Sequence, residues 1–313
     1  MIGNFDLPQD KSIVKTFVFN AMGPIALSGN LPQGFRTWQK PKGITFVHGL
    51  IIGAGAGGGG GGTGGGGGGG ASGGILTFLI PAYAVPDQLL VSVANGGKGG
   101  GSNANGAIPT VVTALWYSTL QVTSGTPQRT NFAFANAINS TPQGLAGGTT
   151  GGAGGTASSV ATITAATANL TNLVSMGNAQ IQIGSVGQAG TTGAGANAPF
   201  IGRPQGGASG GGISGGVGSA GGNVLAPSFG TQTIWNRNLL GGTATGQAGE
   251  DGISLTQPTL FNLPGAGGGA NVGGTGGRGG KGGIGCGGGG GGAGTTGGAG
   301  GDGGDGLIIL TCW

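Results

Sequence analysis

The chain has 313 residues, 87 of them glycine, roughly four times the usual share. Only 6% are charged, with 11 Lys/Arg against 7 Asp/Glu for a net charge of +4, and one histidine and two cysteines complete the reactive inventory. A catalytic triad needs a histidine or a substitute base and a structural zinc site about four Cys/His ligands; neither is comfortably assembled from this inventory, so the composition predicts a non-enzymatic protein with no catalytic residue, no metal and no cofactor.

The basic residues are scattered from Lys11 to Lys281 without a phosphate-tracking cluster, which argues against nucleic acid as a partner. The longest apolar runs, such as Leu307 to Leu310, fall far short of the roughly 20 residues of a membrane-spanning helix, so no membrane insertion is expected. No basic segment followed by an apolar stretch opens the chain, and no signal peptide is read there. Cys286 and Cys312 read as two free thiols.

Residues 1–37 are predicted to be an attachment segment. Ile13, Lys15, Phe17 and Phe19 alternate with Val14, Thr16 and Val18 as an edge strand, and turn residues follow at Gly23-Pro24 and Leu31 to Gly34. Residues 38–106 form the first half of a glycine-rich domain. In it a strand over 44–52 places Ile44, Phe46, His48, Leu50 and Ile52 on one apolar face. His48 on that face reads as a core or subunit-interface histidine. Further strands are predicted at Ile75 to Ile80 and Leu89 to Ala94, around the glycine tract Gly53 to Gly74.

Residues 107–262 are poorer in glycine and richer in Thr, Ser, Asn and Ala, and are predicted to be a β-rich insertion. Val112, Ala114, Trp116, Leu120 and Val122 fall on one side of a strand. Ser158 to Ala165, Ile181 with Ile183, and Thr231 to Leu240 add strand candidates, and Ala165 to Met176 fits strand or helix. Residues 263–313 form the second glycine-rich half and close on the strand Leu307 to Trp313.

Glycine tracts resemble flexible linkers in composition alone, but the last one is periodic. Every third residue from Val272 reads Val272, Thr275, Arg278, Lys281, Ile284, Gly287, Gly290, Ala293, Thr296, Ala299, Asp302 and Asp305. Outside that column only Cys286 and Thr295 are not glycine. A period of three matches an extended left-handed helix with three residues per turn. Two of its edges are bare backbone that can bond to neighbouring chains. The expected fold class is therefore all-β with polyglycine II helices: a small β-sandwich framing a glycine-helix bundle. The nearly pure tract 53–74 suits the bundle's interior. The C-terminal tract, with its scaffold column Thr275, Arg278, Lys281, Ile284, Asp302 and Asp305, suits its outside. Asp302 and Asp305 are expected to form a solvated acidic edge or to pair with Arg278 and Lys281.

Trp38-Gln39-Lys40-Pro41-Lys42-Gly43, the strand that follows it, and Gly53-Ala54-Gly55-Ala56 with its glycine run resemble the glycine-rich domain of bacteriophage tail-fibre, adhesin and related virion structural proteins. Leu89 to Gly97 and Gly303 to Leu310 extend the match. The resemblance implies a virion component, assembled in the host cytoplasm, that displays a host-binding surface on a rigid scaffold. Its partners would be other virion proteins through the N-terminal segment and a bacterial surface glycan or outer-membrane protein. A homo-oligomer is implied, a trimer among the closed symmetries that fit. Exposed aromatic and polar residues of the insertion, Trp116, Tyr117, Arg129, Trp235, Asn236 and Arg237, are the receptor-binding candidates, with core positions for Trp116 and Trp235 as the alternative. The rival reading is an architectural capsid or tail decoration protein that binds no receptor. An ice-binding bundle calls for small column residues in place of the charges found here, and the mycobacterial glycine-repeat surface proteins begin with a helical domain not seen here.

Overall fold

The computed structural model describes residues 14–22, 35–120, 127–135, 141–156, 179–199, 203–225, 228–229, 232–233, 238–255 and 261–313. Their regular structure is almost all β, with no α-helix and one short 3-10 turn at Ala82–Ala84. The all-β class expected from the alternating apolar runs holds.

Two antiparallel sheets form one end of the molecule. The strands are β1 (Lys15–Asn20), β2 (Arg36–Gln39), β3 (Phe46–Ile52), β4 (Ile75–Pro81), β5 (Gln88–Ser92), β6 (Thr113–Leu120), β7 (Pro127–Ala135), β8 (Ala179–Gln182) and a C-terminal strand, Leu307–Cys312. The five-stranded sheet runs β1, C-terminal strand, β3, β4, β8; the four-stranded sheet runs β2, β5, β6, β7. Val47, Ile51, Leu76, Phe78, Ile308 and Leu310 from the first sheet share a core with Trp38, Leu89, Val91, Leu115 and Phe132 from the second. Phe78 meets Phe132 edge to face, ring centroids 6.1 Å apart, a favoured aromatic geometry. Lys40 ties the rim: its Nζ donates to the carbonyls of Ala82 (3.0 Å) and Val85 (2.8 Å) and pairs with Asp87.

The inward face of β3 is the reverse of the expected one. Val47, Gly49 and Ile51 are buried, whereas Phe46 is exposed and His48 and Leu50 are half-buried on the outer side. Both faces of this strand are apolar, so alternation alone does not choose between them. The choice is made at Gly49, which looks like a gap in the pattern. Phe78 opposite it lays its ring across the bare backbone, where a Cβ on Gly49 would overlap the ring.

Beyond the sheets the chain runs back and forth in glycine-rich segments that are neither helix nor strand for most of their length. Their hydrogen bonds recur at every third residue. Along 53–62, the N–H groups of Gly55, Gly58 and Gly61 donate to Gly304, Gly301 and Gly298; those of Ala56, Gly59 and Gly62 donate to Ala71, Gly68 and Gly65; those of Gly57 and Gly60 donate to Ala107 and Ala104. The carbonyls along the same stretch accept in the same rhythm. Gly97, Gly100 and Asn103 bond to Gly55, Gly58 and Gly61; Gly288, Gly291 and Gly294 to Ala56, Gly59 and Gly62; Gly144 and Gly147 to Gly57 and Gly60. Segment 53–62 is thus bonded to six others. The same kind of shell surrounds 64–73, 205–212, 263–270 and 286–294, and nearly all of their residues are buried.

At most of its glycines this packing leaves no room for a side chain. A methyl group on Gly58, Gly59 or Gly60 would overlap a carbonyl of Gly289, Leu145 or Gly101, one on each of three neighbouring segments. The tract 53–74 is interior, as its composition suggests. The C-terminal tract is divided: Arg278 and Lys281 face solvent and Asp302 and Asp305 are half-exposed, but Gly287, Gly290 and Ala293 of the same column are buried. The network also crosses the boundaries at 106 and 262: Gly144, Gly152, Gly207 and Gly210 donate to the 53–74 tract, and Ala208 and Gly211 donate to Gly265 and Gly268.

Outer segments lack a neighbour on one side, and side-chain oxygens take its place. Asp302 and Asp305 accept from the N–H groups of Gly99 and Gly96, each at 2.8 Å. Asn105 accepts from Ala146, Asn197 from Asn223, Asn223 from Gly241, and Asp251 from Lys281. Backbone donors that would otherwise go unpaired are satisfied in this way. The acidic column does not pair with Arg278 and Lys281. Lys98 pairs with Asp302 at 2.8 Å, and Arg278 with Asp251 at 3.1 Å, because segment 95–101 lies against 297–306 and segment 247–253 against 276–283.

Candidate binding surface at the turn-bearing end

The glycine segments leave the sandwich in one direction and return in the other, so their reversals gather at the far end. These turns lie near Thr63, Ser102-Asn103, Thr149-Thr150, Thr191-Thr192, 213–218, Thr243 to Gly246, Asn271 to Thr275 and Thr295-Thr296. None of them carries a charged side chain, and most carry hydroxyls. Turn chemistry accounts for the residue types: Asn tolerates the left-handed region, and Ser and Thr bond to nearby backbone. Asn103 has φ 53°. Thr191 Oγ1 accepts from Gly193 N–H and donates to Ala194 O, and Thr295 Oγ1 donates to Gly274 O at 3.0 Å.

An open pocket of ≈ 250 Å³ lies among four of these turns, lined by Gly62, Thr63, Ser102, Asn103, Gly148, Thr149, Thr295 and Gly297. Its side chains are exposed hydroxyls and one carboxamide. Among the described residues, those of Thr63, Ser102, Asn103 and Thr149 have no side-chain hydrogen bond and are available to a ligand. Such a lining both donates and accepts, which matches a neutral polyhydroxylated surface better than a charged one. The backbone beneath these side chains is hydrogen-bonded into the glycine segments, as Asn103 is to Gly61 and Gly64 to Gly148, which limits how far the turns can shift.

The residues expected to contact a receptor lie elsewhere. Trp116 and Tyr117 are on β6 and Arg129 on β7, adjacent strands of the four-stranded sheet at the opposite end, with Ser118 opposite Arg129. Trp116 is half-buried on the outer side of that sheet. Its Nε1 donates to Ser92 Oγ at 3.1 Å and its ring meets Phe35 edge to face, so it is neither a core residue nor a free platform. Trp235, Asn236 and Arg237 lie outside the described residues, as do the candidate elements Ser158 to Ala165 and Ala165 to Met176. In the scaffold column Thr275, Arg278 and Lys281 are exposed, while Ile284, Asp302 and Asp305 are half-buried along the flank.

Among the described residues no three His, Cys, Asp or Glu side chains converge as a metal site. Cys286 and Cys312 are free and buried, and burial pushes the Cys286 thiol up to about 12. At Asp302 burial raises the carboxyl, but the Lys98 ammonium and the Gly99 N–H outweigh it and hold the group below its ordinary value. The turn cluster left one trace in the sequence: Gly-flanked Thr-Thr pairs at 149–150, 191–192 and 295–296. No protein-family model matches the chain, and no curated protein matches it.

Proposed function

We propose that this chain is a non-enzymatic bacteriophage virion component, a tail-fibre or fibre-tip adhesin, whose glycine segments are polyglycine II helices in hexagonal array. The three-residue rhythm of bonds to six neighbours supports the helix assignment, since a helix with three residues per turn presents three edges in rotation. Ten residues at about 3.1 Å each make a rod roughly 30 Å long. Such rods carry the turns away from the sandwich and fix them relative to one another.

The observation that carries the functional reading is the uncharged, hydroxyl-rich turn cluster around the pocket at Thr63, Ser102, Asn103 and Thr149. Most side chains at the turns can change while the backbone bonds between the glycine segments persist, which suits a surface that must recognise a variable host. In this reading the receptor is a bacterial surface glycan engaged at the turn-bearing end, and the sandwich end faces the rest of the virion.

The test is binding of the purified full chain to host cells and to an array of bacterial surface polysaccharides. Thr149→Trp, which fills the pocket from an exposed turn, should abolish binding with an unchanged melting temperature. A folded protein that binds no cell or glycan but does bind virion proteins would overturn the adhesin reading in favour of an architectural one.

A further inference from the structure

Among the described residues with positive φ, all but one are glycine: Gly43, Gly215, Gly216, Gly246 and Gly285. The exception is Asn103, at φ 53°, and it lines the pocket of the turn-bearing end. Residues 101–104 form a β-turn closed by Ala104 N–H, which donates to Gly101 O at 3.0 Å. Asn103 is the third residue of that turn, where a positive φ suits glycine first and asparagine second. The turn itself therefore asks for no side chain. Its backbone is pinned: Asn103 N–H donates to Gly61 O and Gly60 N–H to Ala104 O, both at 2.9 Å. Asn105, Asn197 and Asn223 use their carboxamide oxygens to accept from the backbone of neighbouring segments. Among the described residues the Asn103 carboxamide has no such bond and is exposed at the pocket.

We propose that Asn103 determines which sugar the pocket takes, and that the sugar is a neutral unit with two free hydroxyls on adjacent ring carbons. This rests on the reading of the turn-bearing end as a glycan-binding surface. The hydroxyls of Thr63, Ser102 and Thr149 can rotate to donate or accept as a partner requires, so they add affinity without choosing. Thr295 Oγ1 gives its proton to Gly274 O at 3.0 Å and is left as an acceptor. The carboxamide of Asn103 is planar, with a donor, Nδ2, and an acceptor, Oδ1, side by side. A vicinal hydroxyl pair matches both at once, one hydroxyl accepting from Nδ2 while the other donates to Oδ1. A single hydroxyl leaves one end unpaired, and an ionised carboxylate or phosphate has no proton to give Oδ1. No cation stands among the lining residues to favour an acidic sugar. At ≈ 250 Å³ the pocket is near the lower end for small-molecule sites, so it holds one unit of a glycan and not a long stretch of it.

Binding of the full chain to arrayed bacterial surface polysaccharides, before and after periodate oxidation, tests this. Periodate cleaves the bond between carbons that bear adjacent free hydroxyls, so a polysaccharide bound in its native form should no longer bind after treatment. Asn103→Gly removes the carboxamide in a conformation that glycine adopts freely. It should keep the wild-type melting temperature and bind about tenfold or more weakly. Asn103→Asp keeps the shape and the acceptor but has no donor. It should weaken binding as much, and it carries the test if the glycine variant fails to fold. Binding that survives periodate, or wild-type affinity in both Asn103 variants while Thr149→Trp abolishes binding, would overturn this assignment and leave the glycan reading standing. A wild type that binds no polysaccharide would overturn both.

Discussion

Phe78 in the sandwich and Gly67 in the glycine bundle are both buried, and they are held by opposite means. Phe78 is fixed by side chains: it packs on Phe132 and covers Gly49, and a change there can be absorbed by another rotamer. Gly67 is fixed by backbone. Its N–H donates to Gly291, its carbonyl accepts from Gly210, and a methyl group on it would overlap the carbonyl of Gly59. The sandwich gains stability from apolar area removed from water. The bundle has little such area and depends on nearly complete pairing of amides that water would otherwise solvate. The first kind of core tolerates repacking. The second has no rotamers to adjust.

The sharpest way to break this comparison is to add one methyl group to each region. Gly67→Ala is expected to cost about 3 kcal/mol or more, at or beyond the upper end for overpacking, and Gly67→Ala with Gly289→Ala should leave no cooperative melt. Gly49→Ala is expected to cost about 1–3 kcal/mol. Phe78→Leu should recover part of that loss, a favourable coupling that a double-mutant cycle in urea would register. No second substitution should recover Gly67→Ala, because the clashing atom is backbone. At Gly101, where an added Cβ would meet nothing within 4 Å, alanine should raise stability by about 0.4–1 kcal/mol through the unfolded chain.

The smallest effects concern the two titrating side chains. Asp302 is held below its ordinary pKa in the folded state, so the unfolded chain binds its proton first as pH falls. Its contribution is present at neutral pH and lost as pH drops below about 3.9. Asp302→Asn keeps an acceptor for Gly99 N–H, so it should cost under about 1 kcal/mol at pH 7 and flatten the acid limb of stability against pH. His48 is also lowered, by burial. Protonation therefore favours unfolding, and stability attributable to His48 should fall as pH drops through about 6.5. In His48→Gln that slope should vanish from pH-dependent melting curves.

The strands were legible because β4, β5 and the C-terminal strand are short apolar runs bounded by glycine or proline. The three-residue column placed Arg278, Lys281, Asp302 and Asp305 on one edge, and two of them are exposed and two half-buried, but the same column is buried at Gly287, Gly290 and Ala293, so the period alone does not tell an outer stretch from an inner one. Two other matters were not legible. The inner positions of 205–212 and 263–270 are hidden by Ala208, Ser209, Ala266 and Ala270, which break the glycine rhythm yet are buried, Ala208 and Ala266 in a cluster with Val224, Leu239 and Leu263. The turn cluster was missed because an interruption in a glycine run has two meanings: Thr63 marks a reversal, whereas Ala71 and Ser72 lie buried within a glycine segment. Only the partners of each amide distinguish them.

Amide hydrogen exchange resolved by residue, measured on the folded full chain, tests most directly whether paired backbone supports the bundle. The N–H groups of Gly58, Gly59 and Gly67 and of Gly289 and Gly291 are expected to exchange as slowly as those of β3 and β4, through global unfolding. Exchange of these glycine amides at near-coil rates, while the sheet amides remain protected, would contradict the account.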